Sequence, residues 1–313
     1  MKDRPDIQIG LVGCGNWGRH ILRDLKAGGA SVTVVARSKA STDRARDGGA
    51  TAVVASIERL PGDLDGFVVA TPTETHLPVV EKLLARQKPI FVEKPLGNDV
   101  ARAGQLPAAA GNLVFTMQKW RYHPGIQAIA TMAQEREFGP IRAIRSMRLG
   151  WGNPHAGVDT IWHLLPHDLA IALQIFGDLP PLLSVVPDAL GRAGDGLIAA
   201  LGKDAPECII EVSSRHPTYR RCVIAAFEDA TVELGDGWAE AITIIREGET
   251  EPERREIGNA MPLALEINAF LDHLRGGPPP MTSLAEEMVI MQRIAEIRSA
   301  AGLDALGLAG TKP

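Results

Sequence analysis

Lys94, His163 and His167 are the residues of this 313-residue chain whose types and spacing suit proton and charge chemistry. Lys94 ends an apolar stretch, residues 89–93, and precedes Pro95, which holds its backbone extended. An ammonium there suits a hydrogen bond to a substrate hydroxyl and stabilises an alkoxide as it develops. The alternative is a strand-end lysine whose head reaches solvent. Asp159, His163 and His167 follow one another at four-residue intervals. On a helix they share one face. His167, titrating near neutrality, suits a general base in one direction and a general acid in the other. His163 would then orient His167, with Asp159 supplying negative charge through it. The plainer reading gives His163 a satisfied ring and leaves His167 working with Lys94. A histidine pair at this spacing also suits a metal, but no third ligand and no H-E-x-x-H run accompanies it, so no metal is expected.

The second constellation is Gly13, Gly15 and Gly18, with Asn16 and Trp17 between the last two. An apolar run leads into this G-x-G-x-x-G, and a helical pattern leaves it. Gly13 permits the tight turn, Gly15 lets backbone approach a pyrophosphate, and Gly18 lets helix and strand pack closely. Helix N–H groups would face the phosphates. About 20 residues further on, an NAD-specific domain carries a carboxylate for the ribose 2′-hydroxyl. This chain has Ala36 there, followed by Arg37, Ser38 and Lys39. The missing anion, with a guanidinium and a hydroxyl in the next turn, makes NADP the preferred cofactor and NAD the alternative. As ordinary solvated loop charges, Arg37 and Lys39 would read neither.

The elements that must position these residues can be read from periodicity. Residues 7–117 alternate apolar strands with amphipathic helices, which predicts a parallel sheet covered on both faces. Residues 123–135 and 159–176 read as helices. A longer alternating segment is expected at 141–149, and strands at 182–186, 208–213, 221–227, 231–234 and 241–245, these last five joined without intervening helices. They predict an open, mostly antiparallel sheet. Helices over 263–274 and 283–300 close the chain, parted by Gly276-Gly277-Pro278-Pro279-Pro280. The fold class is α/β: a Rossmann domain over residues 1–120, then an α+β domain over 121–313 for substrate and oligomerisation. The C-terminal helices are expected to pack back on the first domain.

Residues 65–97 carry two further motifs. Ala70-Thr71-Pro72-Thr73-Glu74-Thr75-His76 resembles an A-T-P-x-x-x-H turn, and Glu93-Lys94-Pro95 an E-K-P signature. With the N-terminal glycines, Phe138-Gly139-Pro140-Ile141 and the C-terminal helix pair, the chain resembles the glucose–fructose oxidoreductase / inositol dehydrogenase / MocA (Gfo/Idh/MocA) family. The resemblance implies an NAD(P)-dependent oxidoreductase acting on a sugar, cyclitol or related polyol. It implies cofactor contacts from Thr71, Pro72, His76, Glu93 and Lys94. Arg121 and the two histidines fall on the substrate side. The family's helix carries D-x-x-x-H, and His163 stands at the aspartate position. That departure keeps open a dinucleotide-binding sensor without catalysis, and a reductase of a non-sugar carbonyl is a third possibility. Arg121 is equally readable as a solvated arginine. Trp151 and Trp162 are read as core, and Asp168 as a cap or ion-pair partner. The resemblance also implies a homodimer or homotetramer formed through the C-terminal sheet.

Composition bounds the remaining classes. A net charge of −5 without a basic cluster argues against nucleic-acid partners. No apolar run reaches membrane-spanning length. Residues 1–5 are expected to run straight into a strand with no leader, and three scattered cysteines suit a reducing cytoplasm.

Overall fold

The computed structural model describes residues 7–153, 157–203 and 206–307. Residues 1–6, expected to lead directly into the first strand, lie outside the described residues. The chain forms two compact units, Met1–Gln118 with Leu263–Met288 and Lys119–Pro262 with Val289–Pro313.

In the first unit, β1 (Gln8–Val12), α1 (Gly18–Ala27), β2 (Ser31–Val35), α2 (Lys39–Asp47), β3 (Ala52–Val54), β4 (Gly66–Val69), α3 (His76–Leu84), β5 (Ile90–Glu93), α4 (Val100–Ala103) and β6 (Val114–Met117) follow in order. Their strands make one six-stranded sheet, β3-β2-β1-β4-β5-β6, with parallel pairs throughout. Unbroken apolar segments such as Gly66–Val69 are buried along their whole length, as a sheet covered on both faces requires. Strand order reverses between β1 and β4, the place where an open α/β sheet leaves a crevice at its carboxyl edge.

The second unit contributes α5 (Pro124–Glu135), β7 (Ile141–Trp151), α6 (Thr160–Phe176), β8 (Leu182–Pro187), β9 (Gly196–Leu201), β10 (Glu207–Ser213), β11 (Arg215–Phe227), β12 (Ala230–Leu234), β13 (Ala241–Arg246) and β14 (Glu253–Glu256). The sheet runs β14-β13-β12-β11-β7-β10-β9-β8. Neighbours are antiparallel except β7 and β10. Two of these strands carry no strand-like pattern in the sequence. β9 is glycine- and alanine-rich, and β14 is Glu-Arg-Arg-Glu, held to β13 by register and by Arg246–Glu253 at 2.7 Å. β11 begins six residues before the expected start, as an exposed arm with a register shift between Arg215 and Arg220.

Two helices complete the chain. α7 (Pro262–Leu274) supplies Leu263, Ile267, Phe270 and Leu271 to the core of the parallel sheet, and Phe270 stacks on Phe91 at 4.9 Å. α8 (Leu284–Ala300) starts in the first unit and ends in the second. No described helix is long and apolar enough to cross a membrane.

α6 is fixed on its sheet by a buried polar cluster. Asp168 accepts from Ser146 Oγ at 2.6 Å and from Arg148 Nε and Nη2 at 2.8 and 3.0 Å. Both charged side chains are essentially excluded from solvent. The ion-pair reading of Asp168 therefore holds. Arg148 lies 4.5 Å over the Trp120 ring, which stacks on His123 at 5.2 Å.

His123 caps α5. Its Nδ1 accepts from Gly125 N–H at 3.1 Å, so the ring proton sits on Nε2, 3.3 Å from the Gly237 carbonyl. Burial pushes its pKa below the ordinary imidazole value. The unfolded chain binds a proton near pH 6.5, where the folded ring still refuses one. This contribution to stability is thus complete above the unfolded value and is lost as pH falls below it. We expect the urea midpoint to drop between about pH 7.5 and 5.5, and His123→Asn, which keeps an acceptor but does not titrate, to shallow that slope. An unchanged slope would show that His123 contributes no pH dependence.

Candidate active site

The glycine turn at the end of β1 is shaped by backbone contact. Gly13 has φ +97°, and a Cβ there would meet the Ala70 carbonyl oxygen at 2.6 Å. A Cβ on Gly18 would meet the Gly13 carbonyl oxygen at 2.5 Å. These contacts press β1, the first turn of α1 and the end of β4 together. Gly15 is different: a Cβ there meets nothing within 4 Å. Open space over a glycine beside a helix N-terminus fits a dinucleotide pyrophosphate cradled by Gly13, Gly15 and Gly18. Asn16 and Trp17 are exposed on the same turn.

Three loops at this sheet edge are tied together. Trp17 Nε1 donates to Glu93 Oε1, and Glu93 Oε2 accepts from Lys94 N–H at 3.0 Å. His76, fully buried at the start of α3, lies with Nε2 2.7 Å from the Thr71 carbonyl and Nδ1 2.8 Å from the Pro95 carbonyl. Burial lowers its pKa. A neutral ring donates from one nitrogen only, so its tautomer selects which carbonyl receives the proton. The ring clasps the A-T-P turn against the Lys94–Pro95 segment, whose peptide bond is cis. Thr75 Oγ1 reaches Thr71 Oγ1 at 2.8 Å and the Pro72 carbonyl at 2.6 Å. Buried Glu287 holds the next segment, accepting from Leu96 N–H at 3.2 Å and Gln118 Nε2 at 3.0 Å. Sequence reading missed this anchor, because Glu287 lies more than 160 residues from both partners.

At the end of β2, Ala36 is buried and Arg37 exposed. Ser38 caps α2 through a reciprocal pair with Ser41, and Lys39 is paired with Asp43 at 2.7 Å. Of the three residues weighed for a 2′-phosphate, Arg37 is the one not engaged by α2.

In the second unit, Asp159 is the N-cap of α6, accepting from Trp162 N–H at 3.2 Å. Arg298 donates to both of its oxygens at 2.9 and 2.7 Å. The carboxylate expected to charge His163 is thus bound by a guanidinium through both of its oxygens. Burial raises its pKa, while Arg298 works in the opposite direction. His163 lines a cavity of about 150 Å³ together with Trp151, Asn153, Thr160, Ser214 and Arg221. His167, one turn along, is buried. Arg121 is not a solvated arginine: it is buried, and its Nε donates to Gln174 of α6 at 2.8 Å. Trp162 is core as expected, whereas Trp151 is 72% exposed and belongs to the cavity rim. Arg221 and Ser214 were not singled out in the sequence, because strand register alone brings them to His163. Among the described residues no cluster of His, Cys, Asp and Glu is arranged to hold a metal.

Residues 7–115 match the model of the Gfo/Idh/MocA oxidoreductase family, described by its NAD-binding Rossmann fold. Those residues are similar to that family. The uncharacterized oxidoreductase YdgJ of Escherichia coli is 29% identical over 58% of this chain and 56% of its own length. Inositol 2-dehydrogenase of Rhodococcus erythropolis is 37% identical over 32% of this chain and 30% of its own. The chain thus covers about a third to just over half of these curated relatives. UDP-N-acetylglucosamine 3-dehydrogenase GnnA of Acidithiobacillus ferrooxidans superposes with a TM-score of 0.81, covering 94% of this chain and 97% of that one. At 21% identity, that likeness is one of fold.

The glycine turn separates stability from binding. Gly18→Ala drives a methyl into backbone and should cost about 1–3 kcal/mol, read by urea unfolding. Gly15→Ala should unfold like wild type and yet lose dinucleotide affinity. Equal losses of stability would contradict the assignment of open space to Gly15.

Proposed function

We propose that the protein is an NAD(P)-dependent oxidoreductase that moves a hydride between a nicotinamide and a secondary alcohol or carbonyl of a sugar, cyclitol or related polyol. The observation that carries this reading is the sheet edge at the strand-order reversal. There Gly13, Gly15 and Gly18 lie with Thr71, His76 and Glu93–Lys94 in one tied set of loops. NADP is the preferred cofactor, on exposed Arg37 and the absence of a carboxylate at Ala36, and NAD the alternative. When bound, the dinucleotide supplies the hydride acceptor or donor. Glycine-turn and α1 N–H groups hold its phosphates, with Asn16 and Trp17 beside them. Thr71, Pro72 and His76 support its nicotinamide half.

Lys94 is assigned the substrate oxygen: it donates a hydrogen bond and stabilises the negative charge that develops there. His167 takes the hydroxyl proton in oxidation and returns it in reduction. His163 contacts substrate from the cavity wall, and Arg121 supports α6 through Gln174. A second reading, a dinucleotide sensor without turnover, draws on His163 standing at the family's aspartate position with Asp159 bound to Arg298.

We also propose self-association through the outer face of the second sheet. Val186, Ile198, Ile209 and Ile245 are exposed, and the strand register sets them on one face. Ile209→Asp should then reduce the mass measured by light scattering to that of a monomer. A wild-type monomer would end this idea.

Turnover is read as absorbance of NADPH or NADH against a panel of polyols and carbonyls. We expect Lys94→Met and His167→Asn each to lower kcat by about 10²–10⁴-fold, with His167→Asn binding cofactor as wild type does. His163→Asp should shift the pH–rate profile. Tight cofactor binding with no turnover of any compound would favour the sensor.

A further inference from the structure

The cavity beside His163 lies wholly on residues of the second unit and has a marked charge character. Its volume is about 150 Å³, and the exposed Trp151 ring stands at its rim. Its wall includes the Thr160 hydroxyl, which donates to Ser214 Oγ at 2.8 Å, the Asn153 amide, which donates to the Val158 carbonyl at 2.9 Å, and the Trp151 ring. No aspartate or glutamate lines it among the described residues, and one guanidinium, Arg221, does.

Arg221 stands opposite Arg148 in the β11–β7 register. Two arginines side by side on one sheet face repel unless each is matched. Arg148 is matched by Asp168. Arg221 has no carboxylate bonded to it among the described residues: its protein acceptors are the Leu149 and Arg220 carbonyls, both bound by Nη1, at 2.6 and 2.9 Å. Those two bonds use the N–H groups of Nη1. The other three of the five guanidinium N–H groups, on Nε and Nη2, have no protein acceptor among the described residues. The group stacks 4.4 Å over Tyr219, which orients its plane. Burial lowers its pKa and the charge of Arg148 acts in the same direction, while Tyr219 and the more distant Asp168 carboxylate oppose them. A partly desolvated cation with its Nε–Nη2 edge unused has the geometry that receives two coplanar carboxylate oxygens.

We infer that this cavity takes a polyol bearing a carboxylate, a sugar acid, and that Arg221 is the residue that selects it. The charge preference stands on Arg221 and the cavity; only the role of the bound compound as substrate rests on the oxidoreductase reading. A carboxylate is favoured over a phosphate because Arg221 is the one guanidinium in the described wall, and its Nε–Nη2 edge matches two coplanar oxygens.

The test is calorimetric binding to the full chain, with and without saturating NADP⁺. The probes are D-glucuronate, D-galacturonate and D-gluconate, each against its neutral sugar or polyol, with D-glucose 6-phosphate as the phosphate arm. We expect at least one acid to bind about tenfold or more tightly than its neutral counterpart, the effect of a charged hydrogen-bonded pair. Arg221→Gln should abolish that preference. Arg221→Lys, which keeps the charge without the fork, should retain part of it, and thermal melting checks that both variants fold. Equal binding of acids and neutral compounds overturns the inference. So does a preference for the phosphate, a preference surviving Arg221→Gln in the folded variant, or no binding of any acid. The two readings fail separately. A carboxylate preference without dinucleotide binding or turnover removes the oxidoreductase reading alone. Turnover of neutral polyols without a carboxylate preference removes this inference alone.

Discussion

The second unit depends on Asp168. Its carboxylate receives two N–H groups of Arg148 and the hydroxyl of Ser146, all out of water. A buried ion pair of this kind contributes little net stability compared with apolar packing, but losing one partner strands a charge at a cost of about 3–5 kcal/mol. Its physical effect is positional. The bonds tie one face of α6 to two alternate residues of β7, so the helix cannot rotate or slide without breaking them. That constraint decides where His163, five residues earlier, meets the cavity, and where His167, the adjacent residue, is buried.

The same pairing sets the electrostatics beside it. Arg148 and Arg221 are cross-strand neighbours, and Asp168 neutralises the first. The second is left with carbonyl acceptors and an aromatic plane. At the N-terminus of α6, Asp159 is occupied by Arg298 in a comparable way. Both aspartates of this helix are thus committed to arginines. The unbalanced charge in the cavity is positive, which is the physical basis for expecting an anionic ligand there.

The first unit is constrained by contact rather than by charge. Gly13 lies against the Ala70 carbonyl and Gly18 against the Gly13 carbonyl, so β1, β4 and α1 meet at separations that no side chain allows. His76 and Glu287 then carry this rigidity to the Lys94 loop, each by bridging segments distant in sequence. Two buried polar residues therefore hold the loops around a glycine turn that is itself open at Gly15.

The sequence by itself determined the parallel sheet, the dinucleotide turn and the likeness of residues 7–115 to a family, because these rest on local signals. Unbroken apolar strands, a glycine whose φ is positive, and motifs such as Glu93-Lys94-Pro95 are written in contiguous residues. It also located α6 and the histidines, since helical spacing is local too. Tertiary structure alone decided what those residues touch. β14 has no apolar pattern and is a strand only because β13 offers it a ladder and Arg246 an ion pair. Trp151, Asp159 and Arg121 each had a plausible partner in sequence and another in space. Their surroundings come from strand register and from α8, residues far away along the chain. Arg221 is the sharpest instance: its side chain is one charge among many in the sequence, and only the partner that Arg148 found, and it did not, gives it a role.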